Sequence, residues 1–171
     1  MVLKKLTRID YSVSQKIRLP STRPTLRRAA ALFAHSADSW FWLAGLIILY
    51  PLASPNLKSI LLKLIIGILV TAVFVLSLKM TIKRPRPEGE WGKIYRTTDP
   101  HSFPSGHAAR AAMLSLLVFL LGPAWLGGVM VLWSLLVAAA RIALGVHYLS
   151  DILAGAGIGL LFGWGVYIIT G

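Results

Sequence analysis

Residues 57–82 read LKSILLKLIIGILVTAVFVLSLKMTI, and this stretch decides the fold class. It is longer than the roughly 20 mostly apolar residues that a helix needs to cross a bilayer. It lacks the strict alternation of apolar and polar residues that a membrane β-strand requires. Because a spanning segment must satisfy its backbone hydrogen bonds without water, we predict a transmembrane helix here.

Four more apolar blocks extend this interpretation to most of the chain. They cover about Ser39–Ala53, with a start nearer Leu32, and then His107–Leu121, Ala124–Leu144 and Leu149–Ile169. The sequence therefore predicts an all-α fold, an integral membrane helix bundle of about five transmembrane helices within residues 36–171. In the last block, close helix approach is expected at Gly155, Gly157, Gly159 and Gly163.

The composition of the 171 residues agrees with a membrane protein and excludes several other classes. Of these residues 56% are hydrophobic and 14% are charged, and the mean hydropathy is +0.71. A soluble domain is about half apolar and about a quarter charged, and a disordered chain is less hydrophobic still. The absence of cysteine excludes a disulfide scaffold, Cys-ligated zinc and iron–sulfur clusters.

Residues 1–35 form a basic segment that differs from the rest of the chain. One acid, Asp10, stands among eight Lys and Arg residues with interspersed apolar residues. No apolar run suits a cleavable signal peptide or a span, so we interpret the segment as amphipathic and interfacial, with its cations on anionic lipids. A solvated basic tail is the alternative. Because anionic lipid accounts for the net charge of +12, we expect no nucleic-acid partner.

Polar residues suited to chemistry cluster at the ends of the apolar blocks. The chain leaves the membrane after residues 57–82, re-enters near residue 107, and returns to the same face between the last two blocks. Helix count alone therefore predicts that all of these residues lie on one membrane face. They are Lys79, Arg86, Ser105, Gly106, His107, Arg141, His147 and Asp151.

Such a set is typical of an anion site with acid–base or nucleophilic chemistry. The helix that opens at Ser105 presents N-terminal amides, which favour phosphate. If the segment is helical, His147 and Asp151 share a face, so that Asp151 can fix the ring tautomer and His147 becomes a candidate nucleophile. His107 is then the candidate donor of a proton to the leaving oxygen. Because the three cations of the set supply charge neutralisation, we expect no metal and no cofactor.

The same residues form three spaced motifs. Lys79 is followed by six residues and Arg86-Pro87, Pro104-Ser105-Gly106-His107 stands as a block, and Arg141 precedes His147 and Asp151 by five and then three more residues. These motifs resemble the three signatures of the type 2 phosphatidic acid phosphatase family. The resemblance covers about residues 79–151 directly, and Ala140 stands where the family usually has a serine.

The resemblance implies a mechanism and a fold. It implies that His147 becomes phosphorylated, that Asp151 orients it and that His107 acts as general acid. It also implies that the phosphate is held by Lys79, Arg86, Ser105, the Gly106 amide and Arg141. Family members commonly have six helices, so the first is replaced here by the basic N-terminal segment.

The resulting hypothesis is an integral-membrane lipid phosphatase, a metal-independent hydrolase acting on a phosphate monoester or pyrophosphate of a lipid. Polyprenyl, phosphatidylglycerol and phosphatidate lipids are the candidate substrates. A small anion transporter or channel and a vanadate-dependent haloperoxidase-like enzyme are the alternatives. The sequence leaves the lipid and the oligomeric state open.

The predicted helix count also orients the protein. Five spans place the active site on the same side of the cell membrane as the N-terminus. The positive-inside rule would make that side the cytoplasm.

Overall fold

The computed structural model describes residues 2–88, 91 and 99–170, with the side chains of the first helix described from Arg8 onward. Its regular structure is helical, which confirms the all-α prediction. Within those ranges the helices are α1 (Val2–Ile17), α2 (Pro24–Ser36), α3 (Ser39–Leu49), α4 (Pro55–Ile82), α5 (Gly106–Leu121), α6 (Ala124–Ala143) and α7 (Leu149–Thr170), and a short 3₁₀ turn (Tyr50–Leu52) follows α3.

The described helices match an integral membrane bundle. Three of them, α4, α6 and α7, are long and apolar enough to cross a membrane. The pair formed by α2 and α3 meets the same criterion as one span bent by 55°, which makes four. The remaining predicted span corresponds to α5, a shorter apolar helix of 16 residues.

The centre of the bundle is α5, which packs against α4, α6 and α7. Its residues Met113, Leu114 and Leu117 are fully buried. Within a bilayer, such side chains stabilise the bundle through close van der Waals packing, so this helix carries much of the core. Because α5 lies between its neighbours, its N-terminal end is close to all of them. That end carries the N-cap Ser105 and, in the first turn, His107.

Glycines on α7 set its distance from α5. A Cβ at Gly159 would lie 2.8 Å from the carbonyl carbon of Ala109, and one at Gly155 would overlap the carbonyl oxygen of Ser105. Gly163 also faces α5, near Met113. The prediction of close approach is wrong only for Gly157, which has nothing within 4 Å. Two residues of an α-helix subtend about 200°, so Gly157 lies on the opposite side of α7 from Gly155 and Gly159.

The two N-terminal helices lie against the bundle through different contacts. Helix α2 packs on α6, with Ala34 buried against Ala140 and Leu144. Helix α1 contacts the start of α7, where Ser14 Oγ accepts a hydrogen bond of 2.9 Å from the Leu149 amide. The division of the chain at residue 35 stays a prediction.

The long connection between α4 and α5 returns the chain to the end of the bundle from which it left. Helix α4 ends at Ile82, and the left-handed backbone of the next residue, Lys83 (φ 49°), terminates it. An isolated antiparallel bridge pairs Pro85 with His101, and the Ser102 amide donates to the Arg84 carbonyl over 2.8 Å. Residues 89, 90 and 92–98 of this loop lie outside the described residues. The bridge therefore places the end of α4 beside the start of α5.

Candidate active site

His147 lies at the centre of the site, between α6 and α7. Arg86 Nη1 is 3.2 Å from His147 Nε2, and Arg141 Nη2 is 3.3 Å from the same atom. The His147 side chain is 1% exposed, and both arginines are buried. Two guanidinium groups thus converge on one ring nitrogen, although the residues come from a loop and from the last turn of α6.

Asp151 lies behind the other ring nitrogen. Its Oδ2 is 3.5 Å from His147 Nδ1 and accepts a hydrogen bond of 2.9 Å from the Tyr148 amide. The shared face was predicted on the condition that the segment containing both residues is helical. In the structure α7 begins at Leu149, so His147 precedes the helix and Asp151 is in its first turn. The two side chains nevertheless come together, because the carboxylate points back toward the helix start.

Lys79 and Arg86 share an acid that the motif analysis did not place in the site. Asp99 Oδ2 is 2.5 Å from Lys79 Nζ and 2.8 Å from Arg86 Nη2. Lys79 and Arg86 are both buried, whereas the Asp99 side chain is 41% exposed. The Asp99 carboxylate therefore contacts the two buried cations from the solvent-exposed side of the site.

The first turn of α5 supplies Ser105, Gly106 and His107. Ser105 is the N-cap residue, and its Oγ accepts from the Ala108 amide over 3.4 Å. Its own amide donates to the Asp151 carbonyl over 3.0 Å, which ties the start of α5 to the start of α7. Gly106 and His107 line a cavity of about 380 Å³ between α4 and α5, together with Lys79. The eight residues of the sequence prediction are therefore brought to one end of the bundle.

His107 has a partner that the sequence analysis missed. Its Nε2 is 2.5 Å from Oδ1 of Asp38, which lies at the bend between α2 and α3. One turn further along α5, Arg110 Nη1 donates to the Ala37 carbonyl. No motif in the sequence indicates that Asp38 contacts His107, because a single Asp before an apolar block is equally typical of a helix N-cap.

Arg84 belongs to none of the three motifs, but it joins two acids near the site. Arg84 Nη1 donates to Asp151 Oδ1 and Nη2 donates to Asp10 Oδ2, both over 2.7 Å. Its guanidinium also lies over the Tyr148 ring, 4.1 Å from the centroid. Asp10 in turn accepts from the amide and hydroxyl of Ser150. The first helix thereby holds the start of α7, which carries Asp151.

The electrostatics of the site keep its central histidine neutral. Burial, followed by the positive charges of Arg141, Arg86 and Lys79, holds the pKa of His147 well below its ordinary value. At Asp10 burial opposes ionisation, but hydrogen bonds from Ser150 and Arg84 prevail and lower the pKa of the carboxyl group. Near neutral pH the site therefore holds an uncharged imidazole among cations.

Fold and site together define a multi-pass helical membrane protein with a buried cluster of cationic and histidine side chains at one end of the bundle. The model of the PAP2 superfamily matches residues 60–171. The chain belongs to this superfamily, which confirms the resemblance found in its motifs. The matched region contains most of α4, all of α5 to α7 and all eight of the sequence-predicted site residues.

Two relatives agree in sequence. Over 69 residues the chain is 42% identical to "Lipid A 4'-phosphatase" of Bacteroides thetaiotaomicron, an alignment that covers 40% of this chain and 31% of that protein. Over 139 residues it is 31% identical to "Probable lipid phosphate phosphatase beta" of Arabidopsis thaliana, with 64% and 65% covered. Each alignment thus spans less than two thirds of the relative's own length.

Two solved structures agree in fold. The crystal structure of Aquifex aeolicus LpxE has a TM-score of 0.75 at 25% identity, covering 92% of this chain and 93% of that one. A PAP2-type phosphatidylglycerolphosphate phosphatase from Bacillus subtilis has a TM-score of 0.78 at 22% identity, covering 96% and 86%. The second likeness concerns the fold alone.

Proposed function

We propose that this protein is an integral-membrane lipid phosphatase that works through a phosphohistidine on His147. The observation that carries the proposal is the convergence of Arg86 and Arg141 on His147 Nε2, at 3.2 and 3.3 Å. Arginines hold phosphoryl oxygens by forked hydrogen bonds, so a phosphate bound by both lies against a neutral ring nitrogen. The relatives named as lipid phosphatases support the same reaction class.

The proposed reaction has two steps. His147 Nε2 attacks phosphorus, the bond from phosphorus to the leaving oxygen breaks, and His107 donates a proton to that oxygen. Water then attacks the phosphorus of the phosphohistidine, His107 takes the proton from that water, the bond from phosphorus to His147 Nε2 breaks, and inorganic phosphate leaves. Asp151 holds the ring of His147 and stabilises the positive charge that develops on it.

The remaining residues of the predicted set bind the phosphate in this proposal. Lys79, Arg86 and Arg141 neutralise its charge, and Ser105 and the Gly106 amide add hydrogen bonds at the start of α5. The carboxylate of Asp99 supports this assignment, because it shows that Lys79 and Arg86 can share one anionic oxygen. A bound phosphate would replace that carboxylate.

The cavity beside the site favours a lipid as substrate. Its lining combines the polar side chains of Lys79, His107 and Arg110 with apolar side chains of α4, among them Val75 and Leu76. A molecule that matches this lining carries a phosphate on an apolar chain. Polyprenyl, phosphatidylglycerol and phosphatidate phosphates all meet this description.

The arrangement of buried cations favours an enzyme over an anion channel. A channel places its charged residues along a path through the membrane. Within the described ranges the buried Lys and Arg side chains lie at the site end of the bundle, namely Lys79, Arg86, Arg110 and Arg141.

Phosphate release from a panel of lipid phosphates by the detergent-purified protein tests the proposal. We expect turnover of at least one lipid in the presence of EDTA, and a trappable phosphohistidine. His147→Ala should lose activity by many orders of magnitude, because the covalent route is removed. A folded His147→Ala protein that keeps more than about a tenth of the wild-type rate would refute the mechanism.

We further propose that the active site and the N-terminus share one membrane face, on which α1 rests at anionic lipid. Asp10 and Ser14 of α1 bind the start of α7, beside Asp151, which supports a common face. On the outer side of the first two helices Ile9, Tyr11 and Leu26 are 47–49% exposed, as an interfacial segment requires. The cytoplasmic face is favoured by the positive-inside rule.

Single cysteines test this arrangement, since the chain contains none of its own. Ser12→Cys and Glu88→Cys report on the site end, and Asn56→Cys reports on the opposite end of α4. An impermeant maleimide on intact cells should label both or neither of the first two cysteines. It should label Asn56→Cys only if it labels neither of them. Labelling of only one of the first two would contradict a common face, and labelling of both would move the site outside.

A further inference from the structure

We propose that Asp38 is a positioning residue for His107, the proton donor of the proposed reaction, on which this inference rests. Asp38 Oδ1 lies 2.5 Å from His107 Nε2, with the two side chains 21% and 18% exposed. These residues are 69 positions apart in sequence. A short contact between a carboxylate and an imidazole fixes the ring and stabilises its protonated form.

The surroundings of Asp38 hold its carboxylate in place. The Asp38 backbone is extended (φ −65°, ψ 136°), and its amide donates to the His35 carbonyl over 2.9 Å. The preceding Ala37 is fully buried, and its carbonyl accepts the hydrogen bond from Arg110 of α5. The bend between α2 and α3 is thus fastened to the same helix that carries His107.

The geometry assigns separate tasks to the two ring nitrogens of His107. Nε2 donates its proton to Asp38, so Nδ1 is the nitrogen that serves the leaving oxygen. In the first step the Nδ1 proton passes to that oxygen and the ring becomes neutral. In the second step Nδ1 takes a proton from the attacking water, and the Nε2 hydrogen bond to Asp38 persists throughout.

The charges around His107 explain why it needs such a partner. A proton donor among cations loses its proton easily, and the nearby carboxylate of Asp38 opposes that loss. The titratable and charged groups on the elements packed around His107 are Arg110 on its own helix, Lys79 on α4, Arg141 on α6, His147 before α7, Asp99 and His101 on the loop, and His35 beside Asp38.

The test compares two substrates whose leaving groups differ in their need for a proton donor. The leaving group of dodecyl phosphate is an alkoxide, which needs a proton to depart. The leaving group of 4-nitrophenyl phosphate is a phenolate, which is stable without one. For Asp38→Asn we expect kcat/KM to fall about tenfold or more with dodecyl phosphate and less than about threefold with 4-nitrophenyl phosphate, since a positioned acid contributes about 10²–10⁴-fold. The alkaline limb of the pH–rate profile should move to lower pH.

Two further variants separate positioning from structural support. In a His107→Gln background Asp38→Asn should cost nothing more, because its effect passes through His107. Asp38→Ser, which keeps a residue type suited to the start of α3, replaces Asp38→Asn if the latter does not fold. The matched control is Glu88→Gln, the same acid-to-amide change at an exposed position, which should behave as wild type.

The outcomes are distinct. Equal losses with both substrates and an unmoved alkaline limb would overturn the role of Asp38 while leaving the phosphatase intact. Wild-type rates in Asp38→Asn would do the same. Failure of the wild-type protein to hydrolyse any lipid phosphate would instead overturn the proposed function, and the role of Asp38 with it.

Discussion

Replacement of Gly159 by alanine tests how the site is assembled. The added Cβ would overlap the carbonyl oxygen of Ala109 and lie 2.8 Å from the carbonyl carbon and 3.0 Å from the Cα of that residue. Ordinary contacts begin at 3.4 Å, so α5 and α7 must separate by at least 0.6 Å. The clashing atoms belong to the backbone, so no side-chain rotation can relieve the overlap.

The magnitude follows from two opposing effects. Overpacking costs about 1–3 kcal/mol, and alanine returns about 1 kcal/mol through its higher helix propensity. We expect a net loss of up to about 2 kcal/mol in stability. A misplacement of 1 Å can cost about 100-fold in rate, so a shift of 0.6 Å between the helices that carry His107 and Asp151 should cost about tenfold or more in kcat/KM.

The assays are thermal inactivation in detergent and phosphate release from the best lipid of the panel. Gly157→Ala on the same helix is the matched control, because nothing lies within 4 Å of its added Cβ. It should be about 1 kcal/mol more stable than the wild type, through helix propensity alone, and should match it in turnover. Wild-type stability and turnover in Gly159→Ala would refute the close packing of α5 on α7.

Three more predictions concern the charges of the site. Asp10→Asn should lower stability by about 1–2 kcal/mol near neutral pH, as loss of a helix cap does; because the pKa of Asp10 is lowered by folding, the difference should vanish in acid, where its carboxyl group is protonated. The low pKa of His147 leaves the nucleophile unprotonated, so the acid limb of the pH profile of kcat/KM should lie below about pH 6.5, the ordinary pKa of histidine. An acid limb at or above that pH would contradict the low pKa of His147. Vanadate should inhibit competitively and EDTA should not, because vanadate adopts the five-coordinate geometry of the transferring phosphoryl group; strict dependence on added magnesium would count against this site.

The fold class could be predicted because its cause is local. A long apolar run such as residues 57–82 must be helical in lipid wherever it lies in the bundle, since its backbone polar groups have no other partners. That the three motifs lie at one end of the bundle could be predicted from the order of the helices alone. The bend between α2 and α3 could not be predicted, because the break at Ala37 and Asp38 depends on the anchoring contact with Arg110.

The site divides in the same way. The spacing of Lys79, Arg86, His107 and His147 is a property of the chain. It sufficed to recognise the family and to predict which residues bind phosphate. The partners of these residues are a property of packing.

The acids show the difference most clearly. The motif analysis placed Asp151 beside His147, but Asp10, Asp38 and Asp99 joined the site only through contacts across 74, 69 and 20 residues. A lone acid in a sequence is equally suited to a helix cap, a loop or solvent. Which cation or imidazole it meets is decided by how closely α5 and α7 pack and where the first helix docks, because an ion pair forms only when the fold brings its members within about 4 Å.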